Sequence, residues 1–173
     1  VNLEELITPT DVDNTLKSME DKELIFDGTY GDKVYTRYMW EAEKLISEKL
    51  ATIATNPTKK MNDEDITIDE KLDEIQKDAV MTAIKNNVSV ITGGPGTGKT
   101  TIISNIIKNT KKMDYQTILL APTGKAANRM KESTSHEAHT IDKLIASQTL
   151  QDEILHDHMQ IIIDEVSMVA TEH

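Results

Sequence analysis

The run Gly93-Gly94-Pro95-Gly96-Thr97-Gly98-Lys99-Thr100-Thr101 has the residue types and spacing needed to hold a polyphosphate. Its pattern, G-x-x-x-x-G-K-T, is that of a phosphate-binding loop. Glycines admit backbone angles closed to other residues, so several N–H groups can turn inward around one anion. Gly94, Pro95, Gly96, Thr97 and Gly98 would form that cradle, and Lys99 would reach the β- and γ-phosphates. The Thr100 hydroxyl would ligate Mg²⁺, with Thr101 beside it. Both open a helix whose dipole adds positive potential. A bare motif also occurs as an ordinary glycine-rich turn. Here an apolar β-branched run precedes it and helix-forming residues follow, which is the context the chemistry needs. The implied ligands are a nucleoside triphosphate and Mg²⁺.

A second group of candidates lies at Ile161-Ile162-Ile163-Asp164-Glu165. A buried strand that ends in two acids places carboxylates at the carboxyl edge of a sheet, where open α/β folds bind their ligands. Asp164 would hold Mg²⁺ through its water shell, and Glu165 would polarise the attacking water. With Lys99 they form the expected catalytic set. Taken alone, the two acids equally describe a solvated strand end.

The elements that must position these groups follow from hydrophobic period and turn residues. A helix from about Asp69 to Asn86 leads into a first strand, Val88–Thr92, which delivers the chain to the glycine turn. The helix after the loop runs from about Lys99 to Lys111, and a second strand covers Thr117–Ala121 before Pro122. Short helices are expected near Lys125–Lys131 and Ile141–Ala146, and a third strand over Met159–Ile163. Continuous β-branched strands separated by helices predict a parallel sheet covered on both faces, an α/β fold.

Residues 1–55 differ from the rest. A short helical pattern (Val12, Leu16, Met19), a hairpin pattern (Leu24-Ile25-Phe26, then Val34-Tyr35-Thr36) and a second helical stripe (Trp40, Leu45, Ile46, Leu50, Ile53) suggest a small α+β, winged-helix-like module. The polar stretch 56–68, opened by Pro57, reads as a linker, and 69–173 as the main domain.

Composition narrows the function classes. The 173 residues carry a formal net charge of −11, which argues against a protein that coats nucleic acid through a generally basic surface. A local cationic groove on an acidic body stays open, and Lys125, Arg129 and Lys131 form one such cluster. Aromatic residues are 3% of the chain, so a surface built on base stacking is not expected. There is no cysteine and hence no disulfide or thiolate metal site. No apolar run approaches the ~20 residues of a membrane span. Val1-Asn2-Leu3-Glu4-Glu5 lacks the features of a signal peptide, and the expectation is a soluble, cytoplasmic protein, its oligomeric state open with a monomer favoured.

Three segments together are more specific than any one. Gly93–Thr101, then Ala121-Pro122-Thr123-Gly124-Lys125-Ala126-Ala127-Asn128-Arg129-Met130, then Ile163-Asp164-Glu165-Val166-Ser167-Met168-Val169 resemble the RecD/TraA helicases of superfamily 1. Ile75-Gln76-Lys77-Asp78-Ala79-Val80 resembles the glutamine motif of that family, and the N-terminal module resembles the segment before the motor in stand-alone, RecD2-type members. The resemblance implies a RecA-like P-loop NTPase domain, the first motor domain of an ATP-dependent 5′–3′ DNA helicase or translocase. It further implies that Gln76 reads the adenine edge, and that Thr123, Gly124 and Lys125 lie along a track for single-stranded DNA. One departure stands out: Thr140-Ile141-Asp142 replaces the usual T-I-H, putting an anion where a donor to DNA is expected. The second motor domain, with its arginine finger, is not in this stretch. The expectation is therefore an N-terminal part that binds Mg·ATP, hydrolyses it weakly at most and does not unwind DNA. Two other classes fit the residues less closely. One is a P-loop ATPase acting on protein, the other a non-catalytic nucleotide-sensing module.

Overall fold

The computed structural model describes residues 8–19, 24–27, 33–57, 61–154 and 158–169. The chain forms two compact units, 1–49 and 50–171.

In the N-terminal unit, α1 (Pro9–Met19) starts from a reciprocal cap. The Thr8 backbone N–H donates to Asp11 Oδ2 at 2.9 Å, and the Asp11 N–H donates to Thr8 Oγ1 at 3.2 Å. The hydrogen bond from the Thr8 hydroxyl holds the Asp11 carboxyl below its ordinary pKa. Strands β1 (Leu24–Asp27) and β2 (Lys33–Thr36) pair antiparallel, Leu24 opposite Thr36 and Asp27 opposite Lys33. The expected hairpin is therefore present, its turn lying outside the described residues. Most of α2 (Arg37–Thr55) completes this unit. The predicted apolar stripe forms on α2, but none of its residues is buried, and Leu45, Ile46, Leu50 and Ile53 are exposed.

The second unit carries the predicted α/β domain. Its elements are α3 (Glu74–Lys85), α4 (Lys99–Lys112), β3 (Gln116–Ala121), α5 (Gly124–Thr134), β4 (Ala138–Thr140), α6 (Ile141–Ala146), α7 (Gln148–Ile154) and β5 (Met159–Ile163). The strands form one parallel sheet in the order β4-β3-β5, with Leu119 opposite both Ala138 and Ile162. This is an α/β arrangement consistent with a RecA-like P-loop domain.

The central strand shows why both faces must be covered. Leu119 and Ala121 point into a core with Ile103, Ile107, Ala126, Ala127 and Met130 from α4 and α5. Ile118 and Leu120, offset by one residue, point to the other face and join Ile141 and Leu144 of α6. A third cluster packs Ile102 and Ile106 of α4 against Val80 and Ile84 of α3.

Two differences from expectation have physical causes. The helix expected from Asp69 begins only at Glu74, because Thr67 and Asp69 are hydrogen-bonded to α4 and Asp73 supplies the cap. More consequentially, Val88–Thr92 is not a strand. β-branched residues favour extended backbone, but a strand also needs a hydrogen-bonded neighbour. Among the described residues no strand pairs with this run, nor with the second edge of β5. Val90 is accordingly 77% exposed, and Ile161 and Ile163 on β5 are 44% and 43% exposed. Strand β4 and helix α7 were not expected. They are short and carry little period of their own.

Candidate nucleotide-binding site

Helix α4 decides where the glycine loop sits. It closes onto β3 through the short connection 113–115, so it runs back along the strand. Fourteen helical residues at 1.5 Å each match the span of six strand residues at about 3.3 Å. The first turn of α4 therefore lies at the carboxyl edge of the sheet, the edge from which β3 delivers Thr123 and β5 delivers Asp164.

Within the loop, Gly96 and Gly98 have φ of +77° and +79°, the left-handed region that favours glycine. Gly98 is also the N-cap of α4 and brings no side chain to satisfy the first-turn N–H groups. No acidic residue stands in that turn. A Cβ added at Gly94 or Gly96 would meet no protein atom within 4 Å, so the space above the loop is open. Thr97 Oγ1 donates to the Gly94 carbonyl at 2.9 Å and braces the turn. The Lys99 ammonium donates to the carbonyls of Gly93 and Gly94 at 2.7 and 2.9 Å. A cation held against two carbonyls beside open N–H donors can exchange those weak acceptors for an anion. These residues fit a polyphosphate, and the exposed Thr100 and half-buried Asp164 are hard oxygen donors of the kind Mg²⁺ takes. Bound Mg²⁺ would neutralise charge on the phosphates.

Gln76 is joined to the loop directly. Its Nε2 donates to the Thr97 carbonyl at 3.0 Å, and its Oε1 accepts from the Asp73 N–H at 3.2 Å. Asp73 Oδ1 in turn accepts from the Gln76 N–H at 2.8 Å, completing a capping box on α3. The two backbone partners determine which end of the amide is oxygen and which is nitrogen. Each end keeps one hydrogen-bonding position free, a donor on nitrogen and an acceptor on oxygen. Beside it, the hydrogen bond and charge of Glu74 hold the half-buried Lys77 ammonium above its ordinary pKa.

Strand β5 ends as expected. The Asp164 N–H donates to the Leu120 carbonyl at 3.0 Å, continuing the ladder, and Asp164 Oδ1 accepts from the Glu165 N–H at 2.9 Å. Glu165 has φ of +52° and opens a single 3₁₀ turn over Val166–Met168. A non-glycine residue in that conformation costs about 1–2 kcal/mol, and the turn directs the exposed Glu165 away from the strand line.

Thr123 is the N-cap of α5, its Oγ1 accepting from the Ala126 N–H at 3.2 Å. Gly124 and Lys125 follow on the exposed side, as does Arg129, while Ala126, Ala127 and Met130 are buried. Lys131 pairs with Glu137 at 2.6 Å, and that contact holds the Glu137 carboxyl below its ordinary pKa. Asp142 lies in the first turn of α6, where its charge suits the helix dipole.

The AAA domain family matches residues 76–173, which takes in Gln76, the glycine loop, Thr123–Lys125 and the Asp164-Glu165 pair. This chain belongs to the AAA domain family. Several of its relatives are RecD-type proteins, in agreement with the sequence resemblance. It is 43% identical over 113 residues to the RecBCD enzyme subunit RecD of Buchnera aphidicola subsp. Schizaphis graminum, covering 60% of this chain and 18% of that one. It is 30% identical over 149 residues to the ATP-dependent RecD2 DNA helicase of Deinococcus radiodurans, covering 80% of this chain and 21% of the helicase. This AAA-family chain thus spans about a fifth of the length of those two curated relatives.

Sequence reasoning missed two members of the surrounding frame, Asn105 and Asn109 of α4, which are 2% and 0% exposed. The signal was present: asparagine is a poor residue for a helix interior, yet Asn105 stands among Ile102, Ile103, Ile106 and Ile107, and Asn109 follows one turn later. No helix among the described residues is long and apolar enough to cross a membrane.

Proposed function

We propose that this chain is the ATP-binding portion of an ATP-dependent DNA helicase that moves 5′ to 3′ on single-stranded DNA. The observation that carries the reading is the Lys99 ammonium held against the Gly93 and Gly94 carbonyls beside the open first turn of α4. ATP phosphates would occupy that turn, bound by the loop N–H groups from Gly96 to Thr101 and by Lys99. Thr100 and Asp164 would hold Mg²⁺, directly and through water, and Glu165 would accept a proton from the attacking water. The free donor and acceptor of Gln76 match N7 and the N6 amino group of adenine, whereas guanine presents acceptors at both N7 and O6. The relative named as an ATP-dependent RecD2 DNA helicase supports DNA as the substrate.

On a body of net charge −11, the DNA path must be local. The exposed loop and first turn at Thr123, Gly124 and Lys125 offer N–H groups and one cation to phosphates, which gives affinity without base readout. Cationic stabilisation of the γ-phosphate would come from a second motor domain. The 173-residue chain by itself is thus expected to bind Mg·ATP and turn it over slowly, without separating strands.

The test is ATP turnover by the full-length protein with and without single-stranded DNA, beside Lys99→Ala. Stimulation by DNA that is abolished in Lys99→Ala is the expected result. Turnover indifferent to DNA would overturn the helicase reading in favour of an ATPase that acts on protein.

A further inference from the structure

Helix α4 carries the end of the phosphate loop in its first turn and clamps a second segment along its side. The Asn109 side chain accepts from the Thr67 N–H at 2.8 Å and donates to the Thr67 carbonyl at 2.8 Å, pairing with one residue as a strand neighbour would. One turn nearer the loop, Asn105 Oδ1 accepts from the Asp69 N–H at 3.0 Å, and its Nδ2 donates to the Thr101 carbonyl at 3.0 Å. Lys112, on the next turn away, donates to the Asp65 carbonyl and to Thr67 Oγ1. Helical residues 105 and 109 therefore hold residues 69 and 67, and Lys112 holds the end of the 3₁₀ turn Asp63–Asp65. Ile66 and Ile68, the alternate residues, pack into the cluster formed by Ile102, Ile106, Val80 and Ile84.

Only a short turn separates this clamped segment from Asp73, the N-cap of α3, and Gln76 lies in the first turn beyond it. Gln76 then bonds back to the Thr97 carbonyl. The loop, α4, the clamped segment and the start of α3 form a closed ring in which Gln76 is placed from both sides. Asn105 and Asn109 are themselves buried, while Thr67 and Asp69 lie at the surface, so the asparagines hold an exposed segment from the core side.

We infer that Asn105 and Asn109 are positioning residues for nucleobase selection, setting through the Thr67–Asp69 backbone where the Gln76 amide meets the base. This rests on the adenine-reading role proposed for Gln76. A correctly placed bidentate amide discriminates between bases by about tenfold or more. The phosphates are held by α4 itself and do not depend on the clamp.

Equilibrium binding of ATP and GTP to the full-length protein, read as the ratio of Kd values, tests this. In Gln76→Ala the ATP preference should vanish. In Asn105→Ala it should fall to within about threefold through weaker ATP binding, with GTP affinity unchanged. A purely structural role would weaken both nucleotides by the same factor and leave the ratio intact. That ratio, unchanged in Asn105→Ala while lost in Gln76→Ala, would overturn the inference and leave base reading standing. A preference that survives Gln76→Ala would remove base reading and this inference with it. Lys112→Ala, at an exposed site that folding tolerates, should move the ratio in the same direction by about twofold. If Asn105→Ala fails to fold, an unmoved ratio in Lys112→Ala overturns the inference.

Discussion

At the scale of single residues, Gly98 has more demands on it than the other loop glycines. It is left-handed at φ +79°, it caps α4, and an added Cβ would stand 2.5 Å from Gln76 Nε2. Gly98→Ala therefore pays about 1 kcal/mol in backbone strain and must also push the Gln76 amide off the Thr97 carbonyl. The expected outcome is a thermal midpoint lowered by a few degrees together with weakened ATP binding. Differential scanning calorimetry and nucleotide titration check the two parts separately. Gly96→Ala is the contrast: the strain is similar at φ +77°, but no protein atom lies within 4 Å of the added Cβ. That variant should lose stability and leave the Gln76 contact in place.

At the scale of elements, α3 is defined by its first turn. Without the capping box the helix would start with unsatisfied N–H groups, and Gln76 would lose one of the two partners that orient it. Asp73→Ala should cost about 1 kcal/mol of stability, measured by denaturant unfolding of the full-length protein. Asp73→Asn, which keeps an acceptor oxygen, should recover most of it. The contrast between two apolar runs belongs to this scale as well. Met159–Ile163 and Val88–Thr92 have similar composition, yet only the first becomes a strand, because β3 offers it a ladder from Gln116 to Leu120. Composition described both runs equally well. Pairing separated them.

At the scale of the whole molecule, an acidic chain that binds DNA must do so through a few local cations, so the salt dependence of binding should be shallow. Each phosphate contact to a single strand contributes about −0.7 to the slope of log K against log salt. Lys125→Ala should reduce the slope of the full-length protein by roughly that amount and weaken all sequences alike. Fluorescence anisotropy with two oligonucleotides of different sequence over a salt series measures both. An unchanged slope would place Lys125 outside the DNA path.

The sequence by itself determined the chemistry on offer. The glycine loop, the Lys99-Thr100 pair and the strand ending in Asp164-Glu165 are local patterns, each legible because every residue in it acts on its near neighbours. The boundaries of α4, β3 and β5 were legible for the same reason, since their periods are strong. What only the tertiary structure decided depends on contacts between distant residues. Val88–Thr92 found no ladder. Asn105 and Asn109 turned inward to bond a segment 36 and 42 positions earlier. Gln76 acquired its orientation from Asp73 and Thr97 together. A residue type states which hydrogen bonds a side chain can make, and only packing selects among the backbone groups that could receive them.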